Sequence, residues 1–402
     1  MRAGLRRRPS PGGALVVAAL VSGLVVAPVG GAPKAVADDC TPSVSPVAPS
    51  PQTPWAQTAL RYADLAPYVA SGAKIKVAVV DSGIDVSAPQ LAGAVDVAGS
   101  VSLVDPKTYP PTADVLGHGT MVAGIIAARA RPGVGVVGLA PSVVSLLSIR
   151  AYRTCENENA PIAQGIREAV KRGAKIVNIS AGTSTDTPDL ASAVQDAEAA
   201  GVLVVAAAGN LGDQQNGNPP QYPAAYPGVV AVAATGPDRA VTSYSEHGAY
   251  VELAAPGGTA EAPVIGVGPG GGGVSASGIG TSFATPFVAA TAALVWSRDP
   301  GLTAEQVRQR LYATADRMAA GAPDENYGWG VVDPYAALTQ VAAPGSAGPP
   351  RASVPAPLTF ATPPPKPDAT GRALAVGGGG ILSAGGVAGA VWLARRRRRG
   401  IA

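Results

Sequence analysis

The 402-residue sequence predicts an α/β fold with a mostly parallel sheet covered on both faces, followed by one C-terminal segment able to cross a membrane. Three observations carry this. Largely apolar, strand-like runs recur at residues 74–80, 143–149, 175–179, 202–206 and 229–233. Helical patterns at 120–130, 162–172 and 190–200 alternate with them, and Gly201 stops the last. Strands that are apolar throughout are buried on both faces, as when helices cross over between parallel strands. Finally, residues 373–394 carry no charge and are long enough to span a bilayer.

The chain divides in order. Residues 1–37 combine a basic start, an apolar run at 14–29 and the small tripeptide Ala35-Val36-Ala37, which reads as a secretory signal cleaved before Asp38. An N-terminal extension, 38–58, begins as a Pro- and Ser-rich arm, and 55–70 reads as a short helix with a loop. The globular body is 59–341, and near its end Thr303-Ala304-Glu305-Gln306 resembles a capping box opening one more helix. A Pro-rich linker, 342–372, leads to the apolar segment 373–394. The tail, 395–402, opens with five arginines that place the C-terminus in the cytoplasm by the positive-inside rule. No Leu-Pro-x-Thr-Gly motif for wall attachment precedes it.

An apolar content of 47% suits a large core, while only 14% of residues are charged. The net charge of +3 misleads, because five basic residues lie within 1–37 and five more are Arg395–Arg399. The body between them is acidic, so no basic nucleic-acid face is expected. Cys40 and Cys155 are the only cysteines, and in an exported chain they are expected to form one disulfide tying the arm to the body.

Residues that could carry chemistry gather where strands end and helices begin. In Gly280-Thr281-Ser282-Phe283-Ala284-Thr285-Pro286, two small residues before the serine allow a substrate backbone to approach. The apolar run 283–295 reads as a buried helix opening at Ser282. Unpaired N–H groups and the positive end of the helix dipole there would face a developing oxyanion. Pro286 is expected to fall in the first turn, whose N–H groups lack partners anyway. Taken alone, this stretch is better described as an N-cap on a core helix, Asp81 as a strand-end cap, and His118 as a structural histidine. Together they supply a nucleophile, a base and a carboxylate that orients the base. The chain has two histidines, and His247 lies in the polar segment 243–248, which leaves His118 as the base. Asn210 closes Ala206-Ala207-Ala208-Gly209-Asn210; alone it is a turn asparagine, beside the triad an oxyanion donor.

Asp81-Ser82-Gly83, His118-Gly119-Thr120, Ala208-Gly209-Asn210 and Gly280-Thr281-Ser282-Phe283-Ala284 match the motifs of subtilisin-like serine proteases, in the order of that family, which this sequence resembles. The resemblance implies a subtilisin-like three-layer fold and a serine endopeptidase with Asp81, His118 and Ser282 as triad and Asn210 at the oxyanion. It also implies that Ser180, Ala181 and Gly182 pair with the substrate backbone as an edge strand. Residues 206–209, including Ala208 and Gly209, would floor the pocket for the side chain before the scissile bond. The whole layout is similar to mycosins, membrane-anchored subtilases associated with type VII secretion systems, and Tyr244-Ser245-Glu246-His247-Gly248 resembles a stretch of that group. That likeness implies a secreted protein or peptide substrate, a peptidase domain outside the cell membrane, and a place beside the secretion membrane complex.

One departure is the glycine-rich stretch 266–273 just before Ser282. It satisfies G-x-G-x-x-G, but with no strand expected before it and no helix after it a nucleotide site is discarded, and a mobile loop is expected. Acidic residues are scattered without an Asp-x-Asp-x-Asp run, so neither metal nor cofactor is expected. The rival reading from another class is a structural subunit that stabilises the secretion complex independently of proteolysis. A wall-binding adhesin would need repeats or an aromatic-rich module, and the sequence shows neither. Four intact motifs favour the enzyme.

Overall fold

Alternate residues of the strand Ile75–Asp81 serve two different cores. Ile75, Val77 and Val79 face one, and Ala78 and Val80 the other. That is the pattern of a strand buried on both faces, with side chains alternating across the sheet. A computed structural model describes residues 46–69, 72–152, 161–213, 215–270, 274–318 and 323–340. In chain order the strands are β1 (Pro46–Val47), β2 (Ile75–Asp81), β3 (Val101–Ser102), β4 (Val144–Arg150), β5 (Ile176–Ile179), β6 (Leu203–Ala207), β7 (Val230–Thr235), β8 (Val251–Pro256), β9 (Val264–Val267) and β10 (Val274–Gly278). The helices are α1 (Trp55–Ala59), α2 (Tyr62–Val69), α3 (His118–Ala127), α4 (Ile162–Lys171), α5 (Pro188–Ala199), α6 (Thr281–Arg298), α7 (Ala304–Thr314) and α8 (Pro334–Thr339).

Seven strands form one sheet in the order β3-β4-β2-β5-β6-β7-β8, with every neighbouring pair parallel. On one face, Ile162, Ile166 and Ala169 of α4 and Leu190, Val194 and Ala197 of α5 pack on Leu147, Val177 and Val204. On the other, α3 and α6 cover Leu146, Ile176, Val205 and Val232. Every residue of α6 from Thr281 to Ser297 is buried, so this helix is apolar on all sides and forms the axis of the second core. Each fully buried Val or Leu in these layers contributes about 1.5–3 kcal/mol of transfer free energy. The predicted strands therefore lie where the sequence places them, with ends shifted by one or two residues.

Capping chemistry is equally local. Thr303 Oγ1 accepts from Gln306 N–H at 3.2 Å and Gln306 Oε1 accepts from Thr303 N–H at 2.9 Å, the reciprocal pair of a capping box. Thr187 caps α5, with Pro188 at its first position.

Three expectations need correction. Residues 55–69 form two helices rather than one, because Arg61 takes a positive φ of 56° between them. The arm is not merely extended: β1 pairs antiparallel with β10, which pairs with β9, making a separate three-stranded sheet. Trp55 also anchors the extension, its indole N–H donating to the Pro263 carbonyl at 3.0 Å. And a strand, β9, does enter the glycine-rich stretch, although a second strand and not a helix follows it, so it still lacks the strand-to-helix turn of a dinucleotide fingerprint. Alternation was hidden there because glycine carries no side chain to mark a face.

The signal segment, Cys40, Cys155, the linker 342–372, the apolar segment 373–394 and the tail 395–402 lie outside the described residues. Among the described residues no helix is long and apolar enough to cross a membrane, and no cluster of His, Cys, Asp or Glu is placed to hold a metal ion.

Candidate active site

The carboxyl ends of β2, β5 and β6 lie side by side in the sheet, and they deliver Asp81, Ser180 and the segment leading to Asn210 to one edge. Ligands bind at that edge of open parallel sheets. The amino ends of α3 and α6 bring His118 and Ser282.

Asp81 is fully buried and lies 2.8 Å through Oδ1 and 3.0 Å through Oδ2 from His118 Nδ1. A carboxylate so placed holds the Nδ1–H tautomer and leaves Nε2 as the basic nitrogen, which is what a general base for a serine requires. The close approach depends on glycine. A Cβ on Gly119 would lie 2.2 Å from the Gly83 carbonyl oxygen and 3.0 Å from Asp81 Oδ1. The Phe283 ring, tilted at 53° with centroids 5.0 Å apart, packs against the imidazole.

A second buried carboxylate builds the loop that carries His118. Asp114 Oδ1 accepts from Leu116 N–H, Gly117 N–H and Ser82 Oγ–H, and Oδ2 accepts from Thr120 N–H and Oγ1–H. Burial pushes the Asp114 carboxyl up from its ordinary value, against the pull of these donors. Ser82 Oγ also accepts from Gly119 N–H at 3.0 Å, so one hydroxyl ties the β2 end to the start of α3.

Ser282 is 1% exposed. Its hydroxyl donates to the Ser180 carbonyl at 3.1 Å, and Ser180 Oγ donates to the Ser282 carbonyl at 2.7 Å. Here the place of Pro286 differs from expectation. It is the sixth residue of α6, past the first turn, and with no N–H it leaves the Ser282 carbonyl without its helical donor. Ser180 Oγ supplies the missing one. Asn210 Oδ1 accepts from Thr281 N–H at 2.8 Å and Oγ1–H at 2.9 Å, which fixes the amide's orientation and leaves Nδ2 as its donor end. A Cβ on Gly280, whose φ is 145°, would stand 3.2 Å from that Nδ2.

Ala181 and Gly182 follow the end of β5 outside any strand, and Ala208 and Gly209 follow β6. Gln221 stands between these segments. A Cβ on Gly182 would lie 3.3 Å from Gln221 Cβ and Oε1, and a Cβ on Gly209 would lie 2.4 Å from Gln221 Cγ and from Glu246 Cδ. Glu246 Oε1 accepts from Leu211 N–H.

The chain as a whole matches a known family. The subtilase family model (Peptidase_S8) matches residues 72–330. The chain belongs to the subtilase family of serine proteases. Subtilisin E of Bacillus subtilis is 37% identical over 268 residues, 66% of this chain and 66% of that protein. A thermostable alkaline protease of Halalkalibacterium halodurans is 41% identical over 258 residues, 64% of this chain and 65% of that protein. The chain thus spans about two thirds of the length of these relatives. Among solved structures, MycP1 from Mycobacterium smegmatis superposes with a TM-score of 0.65 at 29% identity, covering 79% of this chain and 92% of that one. The MycP3 protease from the type VII (ESX-3) secretion system gives 0.62 at 30% identity, covering 74% and 91%. Another MycP1 structure is described as a serine protease and essential component of the type VII (ESX-1) system. This subtilase is therefore related to the mycosins.

Sequence reasoning gave no contact role to Ser82, Asp114, Tyr152 or Gln221, which touch the candidate site residues or the loops that carry them. Asp114 carries a legible signal, a carboxylate four residues before His118. Tyr152, whose hydroxyl donates to Asp81 Oδ1 at 2.8 Å, carries none, since only the parallel register of β2 with β4 brings the end of β4 beside Asp81.

Proposed function

We propose that this subtilase is a serine endopeptidase held at the outer face of the cell membrane by residues 373–394, where it processes a substrate of a type VII secretion system. The observation that carries the catalytic part is the His118 imidazole gripped by both oxygens of buried Asp81, on the sheet edge that also receives Ser282 and Asn210. In this reading His118 Nε2 takes the Ser282 proton as Oγ attacks the peptide carbonyl, and Asp81 stabilises the imidazolium that forms. Asn210 Nδ2 and the backbone N–H groups at the start of α6 stabilise the oxyanion. His118 then protonates the leaving amine, and water releases the acyl group by the same steps.

The secretion assignment is supported by the likeness to MycP1 and MycP3 and by the order of segments in the sequence: signal, arm, subtilase body, Pro-rich linker, uncharged segment and arginine tail. A structural role in a secretion complex is compatible with the same likeness and needs no turnover. Labelling the full-length protein with a serine-directed fluorophosphonate and mapping the adduct separates the two. An adduct on Ser282 supports the peptidase. A folded protein left unlabelled at Ser282 sinks it.

A further inference from the structure

We propose that Tyr152 is a positioning residue of the catalytic site, its hydroxyl sharing Asp81 Oδ1 with His118 and so moderating how tightly Asp81 holds the imidazolium. The inference rests on the peptidase reading above and goes beyond it in assigning a fourth member to the hydrogen-bonded set. Asp81 Oδ1 carries four contacts: His118 Nδ1 at 2.8 Å, Tyr152 Oη at 2.8 Å, Ser82 N at 2.7 Å and Ser82 Oγ at 3.2 Å. The Tyr152 oxygen is also 3.3 Å from His118 Nδ1, so the phenol sits in the angle between carboxylate and imidazole.

Tyr152 is 3% exposed and Asp81 is fully buried, so water does not compete for that oxygen. The register explains the placement. Asp81 pairs with Arg150, and Ala151 N–H donates to the Asp81 carbonyl at 2.8 Å, which leads the chain straight past the carboxylate. Of the charged groups nearby, Arg150 turns away. Its Nη1 donates to the Pro110 and Ala113 carbonyls, while Asp114 accepts from Ser82 Oγ–H and also repels Asp81 as a like charge. From α6 the imidazole meets the uncharged Phe283 ring. Tyr152 and Ser82 are thus the neutral donors to Asp81 Oδ1, and the Tyr152 oxygen is also in contact with His118 Nδ1.

A donor to Oδ1 acts in two ways. It fixes the carboxylate plane, and hence the direction in which Asp81 presents itself to Nδ1. It also draws charge from the oxygen that stabilises the imidazolium, so His118 is held as a weaker base than an unshared carboxylate would make it. Removing the hydroxyl concentrates the negative charge on the pair with His118. The protonated imidazole gains, and His118 titrates at higher pH.

The test uses full-length protein with Ser282→Ala, and compares it with Ser282→Ala/Tyr152→Phe by NMR titration of the two histidines. Phenylalanine keeps the ring and its packing. The His118 midpoint is expected to rise by roughly half a pH unit or more, while that of His247 stays put as the internal control. Tyr152→Leu, which removes the ring as well, is expected to shift His118 by the same amount. An unmoved His118 midpoint in the Phe variant, or a shift in the Leu variant only, overturns the proposal. In the protein with Ser282 intact, Tyr152→Phe is expected to move the acid limb of kcat/KM upward in parallel, and the loss of the fixed carboxylate plane is expected to outweigh the gain in basicity and lower kcat roughly 10-fold with KM unchanged. Wild-type kcat with an unmoved limb also overturns it. Because the titration needs no turnover, absence of any hydrolysis or labelling in the wild type would fail the peptidase reading while the histidine midpoints still decide the role of Tyr152.

Discussion

Ser180 and Ser282 each donate to the other's backbone carbonyl, at 2.7 Å from Ser180 Oγ and 3.1 Å from Ser282 Oγ. The exchange joins the end of β5 to the start of α6, and Pro286 makes room for it by withholding the helical N–H. Ser180→Ala should destabilise the protein by about 1–3 kcal/mol, the cost of a buried carbonyl losing its donor. The same change in a Pro286→Ala background should cost less, since residue 286 then supplies an N–H to that carbonyl. Denaturant unfolding of the four proteins decides it, and equal costs in both backgrounds would show that Ser180 Oγ is not replacing the helical bond.

Asn210 is held by Thr281 through its oxygen, and its Nδ2 is the proposed donor to the oxyanion. Asn210→Ala should lower kcat about 10²–10³-fold, the loss found when the equivalent kind of donor is removed from a subtilisin, with little change in KM. Hydrolysis of a peptide amide at the wild-type rate would remove Asn210 from the oxyanion site.

Gln221 lies across the space between Gly182 and Gly209, where the side chain preceding the scissile bond is proposed to bind. Gln221→Gly should raise kcat/KM for a leucine at that substrate position relative to alanine by ~10-fold or more. An unchanged ratio across a peptide series would mean that the pocket lies elsewhere.

Glu252 on β8 is half-buried, and burial pushes its carboxyl up despite a hydrogen bond from the Trp329 indole at 3.1 Å. A carboxyl raised in the folded state favours folding in its protonated form. Its contribution is fully present below the ordinary carboxylate range and is lost as pH rises through the folded value. Glu252→Gln should therefore gain on wild type in unfolding free energy as pH rises from about 4 to 7. A difference between the two proteins that stays flat over that range would show that Glu252 is not the group responsible.

Residues 1–45 and 341–402 lie outside the described structure, and their roles are tested directly. Truncation after Arg372 should give a soluble protein that still hydrolyses peptides. Membrane retention on fractionation would move the anchor elsewhere. In secreted protein Cys40 and Cys155 should resist alkylation until reduced, with a disulfide contributing about 4–5 kcal/mol in the chain-entropy model. Alkylation of both without reduction would mean free thiols.

The sequence by itself determined five of the seven strands of the parallel sheet and the helices between them, because apolar runs of strand length alternate with helical periodicity and each encodes its own burial; the edge strands β3 and β8 were not read from it. It also named Asp81, His118, Asn210 and Ser282, since each sits in a short segment whose glycines permit close approach, and such segments are contiguous in the chain. Even the Thr303 cap was legible, being a contact over three residues. What only the tertiary structure decided depends on contacts between distant segments. The pairing of β1 with β10 spans more than two hundred positions, and a two-residue strand has no periodicity to read. Likewise Tyr152 meets Asp81, Ser180 meets Ser282 and Gln221 meets Gly209 only after strand register and helix packing are set. A hydroxyl or an amide has no pattern in sequence that says which buried oxygen it will find. The proposed triad was therefore written in local motifs, and the groups that touch its members were settled by packing.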